Sequence, residues 1–223
     1  MKKDKLIIFD LDGTLYKFKD GTFVSSGLQK QVLKNAIKYI QFKLKKTKKE
    51  AQKILNDIVQ NYGEDISIAM EEKYNCTRRD YFDFVWDIDA KNIITGSQDM
   101  SKILRKLDRE YKLALISDGA FIWIQNALIE LNLIEFFEGN IFSGDGQKRK
   151  SLKNRFNDIP KQYSVLPKNI ISIGDQEKTD IIPAKQLGFK TIFVSNSKKT
   201  TFADVNIDSI KKCEKAINKL FKK

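Results

Sequence analysis

Two aspartates, Asp10 and Asp12, flank a single leucine, and a second pair, Asp175 and Asp180, stands far down the chain. Between the pairs lie Ser117-Asp118-Gly119 and the basic run Lys148-Arg149-Lys150. The 223-residue sequence contains no histidine, which excludes a Ser-His-Asp or Cys-His nucleophile pair, a His-Glu-x-x-His zinc site and a phosphohistidine intermediate. Any acid, base or nucleophile must therefore be a carboxylate, a lysine or a hydroxyl. A lone strand-end aspartate serves equally well as a helix cap or turn former, and Asp10 by itself carries no more than that. A cap needs one carboxylate, however, and here two flank one leucine while another pair follows.

The elements that must position these residues can be read from the apolar pattern. Leu6 to Phe9 is an uninterrupted apolar run ended by Asp-Leu-Asp-Gly-Thr, the pattern of a strand buried on both faces and followed by a tight loop. The same grammar recurs at 111–116, ending in Ser117-Asp118-Gly119, at 169–173, ending in Gly174-Asp175, and at 190–194, ending in Ser195-Asn196. Helical stretches are expected between the strands at 99–107, 121–131, 152–163 and 179–187, the last closed by Gly188. Strands alternating with helices predict an α/β fold with a parallel sheet and right-handed crossovers. Residues 205–207 add a short edge strand, and Asp208 is expected to cap a final helix through Leu220. This order puts Asp10, Asp12, Ser117, Asp175 and Asp180 at or just past the C-terminal ends of parallel strands, where open α/β sheets bind their ligands.

From about Tyr16 to Ile94 the alternation stops, and nothing reads as a buried strand. Residues 27–44 carry Leu28, Val32, Leu33, Ala36, Ile37, Ile40 and Leu44 at helical spacing. Thr47-Lys-Lys-Glu50 has the form of a capping box, with Gly63 closing the helix it opens. Further helices are expected at 64–72 and at 78–86, the latter capped by Thr77. An all-helical insert over 16–94 thus interrupts a core formed by 1–15 and 95–223, with hinges near Tyr16 and Thr95.

The chain carries 41 Lys and Arg against 29 Asp and Glu, a net charge of +12. The excess is mostly lysine and is dispersed over Lys43, Lys45, Lys46, Lys48 and Lys49, over 148–150 and over the C-terminus. That distribution describes a solvated face, so nucleic acid is not expected as a partner. No apolar run approaches the ~20 residues of a membrane span. The N-terminal Met1-Lys2-Lys3-Asp4-Lys5 runs into a short apolar stretch stopped by Asp10, which is not the form of a signal peptide. Cys76 and Cys213 make neither a disulfide framework nor a four-ligand zinc site, and a reduced, cytoplasmic setting is expected.

Phe9-Asp10-Leu11-Asp12-Gly13-Thr14-Leu15 resembles the signature motif of the haloacid dehalogenase (HAD) superfamily of phosphohydrolases. The later motifs follow in that superfamily's order. Leu115-Ile116-Ser117-Asp118-Gly119 resembles the second motif, and Gly174-Asp175 with Asp180 resembles the fourth. Lys150, ahead of Phe156, falls at the spacing of the motif lysine, with Lys148 and Lys153 as alternatives. The resemblance implies a Rossmann-like parallel core flanked by helices, with a helical cap inserted between the first two motifs. It also implies a Mg²⁺-dependent phosphatase acting through an aspartyl-phosphate. Asp10 would be the nucleophile and Asp12 the general acid and base; Asp10, Asp175 and the main-chain carbonyl of Asp12 would hold the metal. Ser117, Lys150 and main-chain groups around Leu11, Asp118 and Gly119 would bind the phosphate, while Asp180 orients the metal shell or Lys150.

Asp118 departs from the asparagine common at that position, and an acid there is tolerated only if its side chain turns toward a helix N-terminus or solvent. An acid at position 12 points to phosphate esters, because dehalogenase-type members lack one there. The expected substrate is a small phosphorylated metabolite, a nucleotide or a sugar or organic-acid phosphate, with a slight lean to pyrimidine 5′-nucleotidase-like or phosphoglycolate phosphatase-like members. The expected state is a monomer or homodimer. Two alternatives remain: a phosphotransferase or mutase using the same site, and a silent basic protein that binds nucleic acid. Tyr16, Lys17, Lys19, Tyr62, Arg78 and Arg79 are candidates to face the site from the cap, whereas Phe121, Trp123 and Trp86 read as core.

Overall fold

The structure, a computed structural model, describes residues 3–63, 65–96, 99–146, 150 and 154–222. The first strand, β1 (Leu6–Phe9), has no accessible surface and lies at the centre of the sheet. Two short strands, β2 (Tyr16–Phe18) and β3 (Ile94–Gly96), pair antiparallel with each other at the two expected hinges. They form a two-stranded ribbon that the sequence reading left as joins, because three-residue strands are too short to show an alternation. The rest of the sheet consists of β4 (Lys112–Ile116), β5 (Ile141–Phe142), β6 (Ile170–Gly174), β7 (Lys190–Val194) and β8 (Val205–Ile207). The order is β5-β4-β1-β6-β7-β8, and every pair is parallel.

A central parallel strand must be apolar on both faces, and β1 divides its side chains accordingly. Ile7 and Phe9 point into one core with Leu113, Leu115, Trp123 and Ile171. Leu6 and Ile8 point into a second core with Ile116, Phe156, Ile159 and Phe189.

Between the ribbon strands the chain forms α1 (Gly27–Leu44), α2 (Lys48–Tyr62), α3 (Ile66–Tyr74) and α4 (Arg78–Val85). The expected caps form as read. Thr47 accepts the Glu50 N–H at 3.3 Å while Glu50 accepts the Thr47 N–H at 2.9 Å, and Thr77 accepts the Asp80 N–H at 3.3 Å. The apolar side of these helices joins the larger core through Tyr16, Ile88 and Ile94.

The remaining helices are α5 (Met100–Glu110), α6 (Phe121–Glu130), α7 (Asn154–Asn157), α8 (Ile159–Tyr163), α9 (Ile182–Gln186) and α10 (Cys213–Phe221). Three details differ from the sequence reading. The helix expected at 152–163 is two short pieces, with its first two residues outside the described set. The stretch expected as one helix at 179–187 begins with a wide turn over Glu177–Ile181. Asp208 does not cap the last helical segment; Ser209 accepts the Lys211 N–H there, and Asp208 pairs with Lys212 at 2.7 Å. Among the described residues no helix is long and apolar enough to cross a membrane.

Candidate active site

Strand register brings the acidic residues together. Phe9 is level with Leu115 of β4 on one side and with Ile173 of β6 on the other, so Asp10, Ser117 and Asp175 leave the sheet along one edge. The Asp10 N–H donates to the Ile173 carbonyl at 2.9 Å, which extends the ladder by one residue and fixes where its side chain starts. The loop then tightens, with the Leu11 carbonyl accepting from the N–H groups of Thr14 and Leu15.

Asp10 is 3% exposed. Its Oδ1 accepts from Lys150 Nζ at 2.6 Å and its Oδ2 from the Thr14 hydroxyl at 2.7 Å. Lys150 Nζ also donates to Asp180 Oδ1 at 2.7 Å, so one buried ammonium bridges two carboxylates. Burial alone would push Lys150 down, but the charges of Asp10 and Asp180 and their hydrogen bonds outweigh it and raise Lys150 above the ordinary lysine value. The second oxygen of Asp180 accepts the Gln176 N–H at 2.9 Å. Burial raises Asp180 to about 6, against the lowering charge of Lys150. Lys148 and Lys153, the alternatives to Lys150, lie outside the described residues.

Asp175 is placed differently. Its Oδ1 is buried and has no hydrogen-bond partner among the described residues. Burial, then the charges of Asp10 and Asp180, raise its carboxyl to about 7. Oxygens of Asp10, Asp175 and Asp180 lie within 4.8 Å of one another. An all-oxygen carboxylate set with one unsatisfied buried acceptor fits a hard divalent cation, and Asp10 with Asp175 could hold it while Asp180 stays on Lys150 and Gln176. Two glycines make room for this cluster. Gly13 has φ +81°, and a Cβ there would fall 2.2 Å from Asp175 Oδ2. A Cβ on Gly174 would fall 2.3 Å from Asp180 Oδ2.

Asp12 has a separate set of hydrogen bonds. Its Oδ1 accepts from the Tyr16 hydroxyl and from Trp123 Nε1 at 3.2 Å, and its Oδ2 accepts from the Ser117 hydroxyl at 3.0 Å. Ser117 in turn accepts the Gly119 N–H at 3.0 Å. Burial and the charge of Asp10 raise the Asp12 carboxyl, and the three donors hold it back. Trp123 is fully buried, as its reading as core requires, yet its one polar atom is spent on Asp12. Thr14 and the indole of Trp123 were not singled out from sequence. A threonine four residues after Asp10 was the available signal for the first, and none existed for the second.

Asp118 turns its side chain to the main chain, accepting the Lys150 N–H at 3.0 Å, so this acid positions the lysine segment. Of the cap candidates, Tyr16 reaches Asp12 and Lys17 donates to the Gly13 carbonyl. Arg78 donates to the Gly146 carbonyl at 3.3 Å and keeps a buried Nη2 without a partner among the described residues. Lys19 is tied to the Lys91 carbonyl, Tyr62 to Glu72 and Arg79 to Asp83, all away from the carboxylates. Phe121, expected as core, is 39% exposed. Trp86 stacks on Phe23 with ring centroids 6.1 Å apart.

Residues 7–194 match the family described as haloacid dehalogenase-like hydrolase. A glyceraldehyde 3-phosphate phosphatase of Methanocaldococcus jannaschii is 26% identical over 238 residues, covering 98% of this chain and 99% of that protein. The crystal structure of a HAD phosphatase from Thermococcus onnurineus has a TM-score of 0.63 at 18% identity, covering 96% of this chain and 97% of that one. A 2-haloacid dehalogenase from Pseudomonas syringae has a TM-score of 0.62 at 17% identity, covering 96% and 98%. The two solved structures share the fold under different reaction names, so the choice of reaction rests on the site's own residues.

Proposed function

Because the chain belongs to the haloacid dehalogenase-like hydrolase family, we propose that it is a Mg²⁺-dependent phosphatase of small phosphate monoesters, with short sugar phosphates of the glyceraldehyde 3-phosphate kind as the favoured class. The observation that carries this reading is the second carboxylate, Asp12, half-buried on the same sheet edge as Asp10. A single carboxylate suffices for attack on carbon, but release of an alkoxide from phosphorus needs a proton donor as well, and in a chain without histidine Asp12, raised above the ordinary carboxylate value, is the group placed to supply it.

In the proposed reaction one Asp10 carboxylate oxygen attacks phosphorus, the bond from phosphorus to the ester oxygen breaks, and Asp12 gives its proton to the departing alkoxide. Water then attacks the aspartyl-phosphate; Asp12 takes a water proton, the bond from phosphorus to Asp10 breaks, and inorganic phosphate leaves. Asp10 and Asp175 would hold the divalent cation, which when bound offsets charge on the phosphate and the carboxylates. Lys150 holds one Asp10 oxygen in place, Thr14 fixes the other, and Ser117 lies where a hydroxyl can turn from Asp12 to a phosphate oxygen. The substrate class is supported by the name of the 26% identical relative, whose alignment spans both chains almost completely.

The test is a panel of glyceraldehyde 3-phosphate, phosphoglycolate, nucleoside monophosphates and hexose phosphates, read by phosphate release with Mg²⁺ and with chelator. Turnover should require the cation and should vanish in Asp10→Asn while the circular dichroism spectrum stays unchanged. Undiminished turnover by Asp10→Asn would refute the mechanism.

A further inference from the structure

Asp12 accepts three hydrogen bonds, and only the one from Ser117 comes from a residue placed among the phosphate ligands. The other two come from Tyr16 and Trp123, which converge on one oxygen, Oδ1, while Ser117 holds the other. The two rings also touch each other edge to face, with centroids 6.4 Å apart. Both are sealed from solvent, Tyr16 at 2% and Trp123 at 0% exposure. A phenol and an indole so buried must each find a hydrogen-bond acceptor, and a carboxylate is the strongest acceptor available. The pair therefore gives Asp12 one defined orientation.

The origin of the two donors in the fold matters as much as their geometry. Trp123 stands on α6, on the helix that follows the Ser117 loop, and moves with the sheet. Tyr16 is the first residue of β2, the outgoing strand of the ribbon that carries the helical insert, and it pairs with Gly96 on the returning strand. One donor is thus fixed to the core and the other to the hinge.

We propose that Tyr16 and Trp123 are positioning residues for the general acid: together they aim the Asp12 carboxyl at the leaving oxygen, and Tyr16 makes that aim depend on the seating of the hinge ribbon. The proposal rests on the phosphatase reading. It assigns a role to two side chains that touch neither the Asp10–Asp175–Asp180 cluster nor Lys150 in any hydrogen bond among the described residues.

A purely structural role for the two rings would lower turnover of all esters alike. Positioning of the acid lowers the rate of forming the aspartyl-phosphate, which kcat/KM reports, only where the leaving group needs a proton, whereas the later hydrolysis, in which Asp12 acts as base, is common to all esters. The experiment compares kcat/KM for glyceraldehyde 3-phosphate, whose alkoxide must be protonated, with kcat/KM for p-nitrophenyl phosphate, whose phenolate leaves as a stable anion. Saturating Mg²⁺ is present throughout, and the proteins are the parent, Tyr16→Phe, Trp123→Phe and Asp12→Asn. Thermal unfolding verifies that each is folded, and either aromatic variant alone suffices if the other fails to fold.

The expected result is that each aromatic substitution lowers the ratio of the two kcat/KM values by about tenfold or more, in the direction of the larger fall in Asp12→Asn. If Asp12→Asn changes the ratio and neither aromatic variant does, the positioning role is overturned and the phosphatase reading stands. If Asp12→Asn leaves the ratio unchanged, the acid assignment falls and the positioning role with it. If the parent cleaves neither ester, the phosphatase reading itself is overturned.

Discussion

Replacing Lys150 with methionine tests how the site holds its charges. The side chain is 6% exposed, and its ammonium lies 2.6 Å from Asp10 and 2.7 Å from Asp180, which are themselves 4% and 1% exposed. Methionine preserves most of the packing and removes the ammonium that bridges the two acids. Breaking a buried ion pair by deleting one partner costs roughly 3–5 kcal/mol, because the remaining charge is stranded. For a chain of this size each kcal/mol moves the unfolding midpoint by about 2–4 °C, so Lys150→Met should unfold roughly 6–20 °C below the parent in chelator. The loss should depend on pH in a fixed direction. Asp180 already sits at about 6, above its ordinary value, with Lys150 holding it down. Without the lysine its folded value rises further. A group whose folded value is raised contributes stability that is present at low pH and lost as pH climbs through that value. The deficit of the variant should therefore be larger at pH 7.5 than at pH 5. Adding Asp180→Asn to Lys150→Met should recover part of it, since one stranded charge is gone. Unfolding within about 1 kcal/mol of the parent at both pH values would refute the reasoning, because a bridge so buried cannot be removed silently unless water fills the site.

Two further predictions concern other buried groups. Asp175→Asn should stabilise the metal-free protein at pH 8 by on the order of 1–3 kcal/mol, because burial and two neighbouring acids oppose its charge and raise it to about 7. The same variant should lose the rise in melting temperature that Mg²⁺ gives the parent, as differential scanning fluorimetry would show. The Cys213 thiol is fully buried and burial pushes it up to about 12, while Cys76 is 8% exposed. Neither should react with Ellman's reagent at pH 8 until guanidinium is added, when both should. Because the folded value of Cys213 lies above the unfolded one, its contribution to stability should fall as pH rises above about 9; rapid labelling of the native protein would contradict this packing.

What could be read from the sequence, and what could not, divides by the range of the signal. The buried strands were legible because a parallel sheet covered on both faces demands unbroken apolar runs, and 190–194 was placed without error. The carboxylates were legible because each follows such a run directly, so finding the strand ends located Asp10 and Asp175. Thr47 and Thr77 were legible because a cap is a contact three residues long. The ribbon of Tyr16–Phe18 with Ile94–Gly96 was not, since its partners are separated by the whole insert and each strand is too short to alternate. Trp123 was read as core and is core; that its nitrogen faces Asp12 depends on a rotation of α6 that no local pattern encodes. Asp118 is expected to turn toward a helix N-terminus or solvent, but its donor, the Lys150 N–H, is one that only the fold brings near.

The charge balance of the site gives an argument for the cation that is independent of any relative. Four carboxylates, Asp10, Asp12, Asp175 and Asp180, are gathered with two ammoniums: Lys150 bonds Asp10 and Asp180 and, with Lys17, lowers Asp175, while Asp12 feels the charge of Asp10. With every group ionised the cluster carries two excess negative charges, and a phosphate monoester adds about 1.5–2 more. Two like charges about 4 Å apart at an effective dielectric of 20 repel by about 4 kcal/mol. Protons can relieve this, and the raised Asp175 and Asp180 are how the metal-free protein would do so. Protons would be the wrong remedy for the proposed catalysis, however, because they compete for the oxygen by which Asp10 would attack. A divalent cation held by Asp10 and Asp175 would remove the same excess and leave the Asp10 lone pair available. The same reasoning gives Lys150 a place: its fixed ammonium between Asp10 and Asp180 offsets their negative charge without a proton on either, and a chain with no histidine has few other means of doing so.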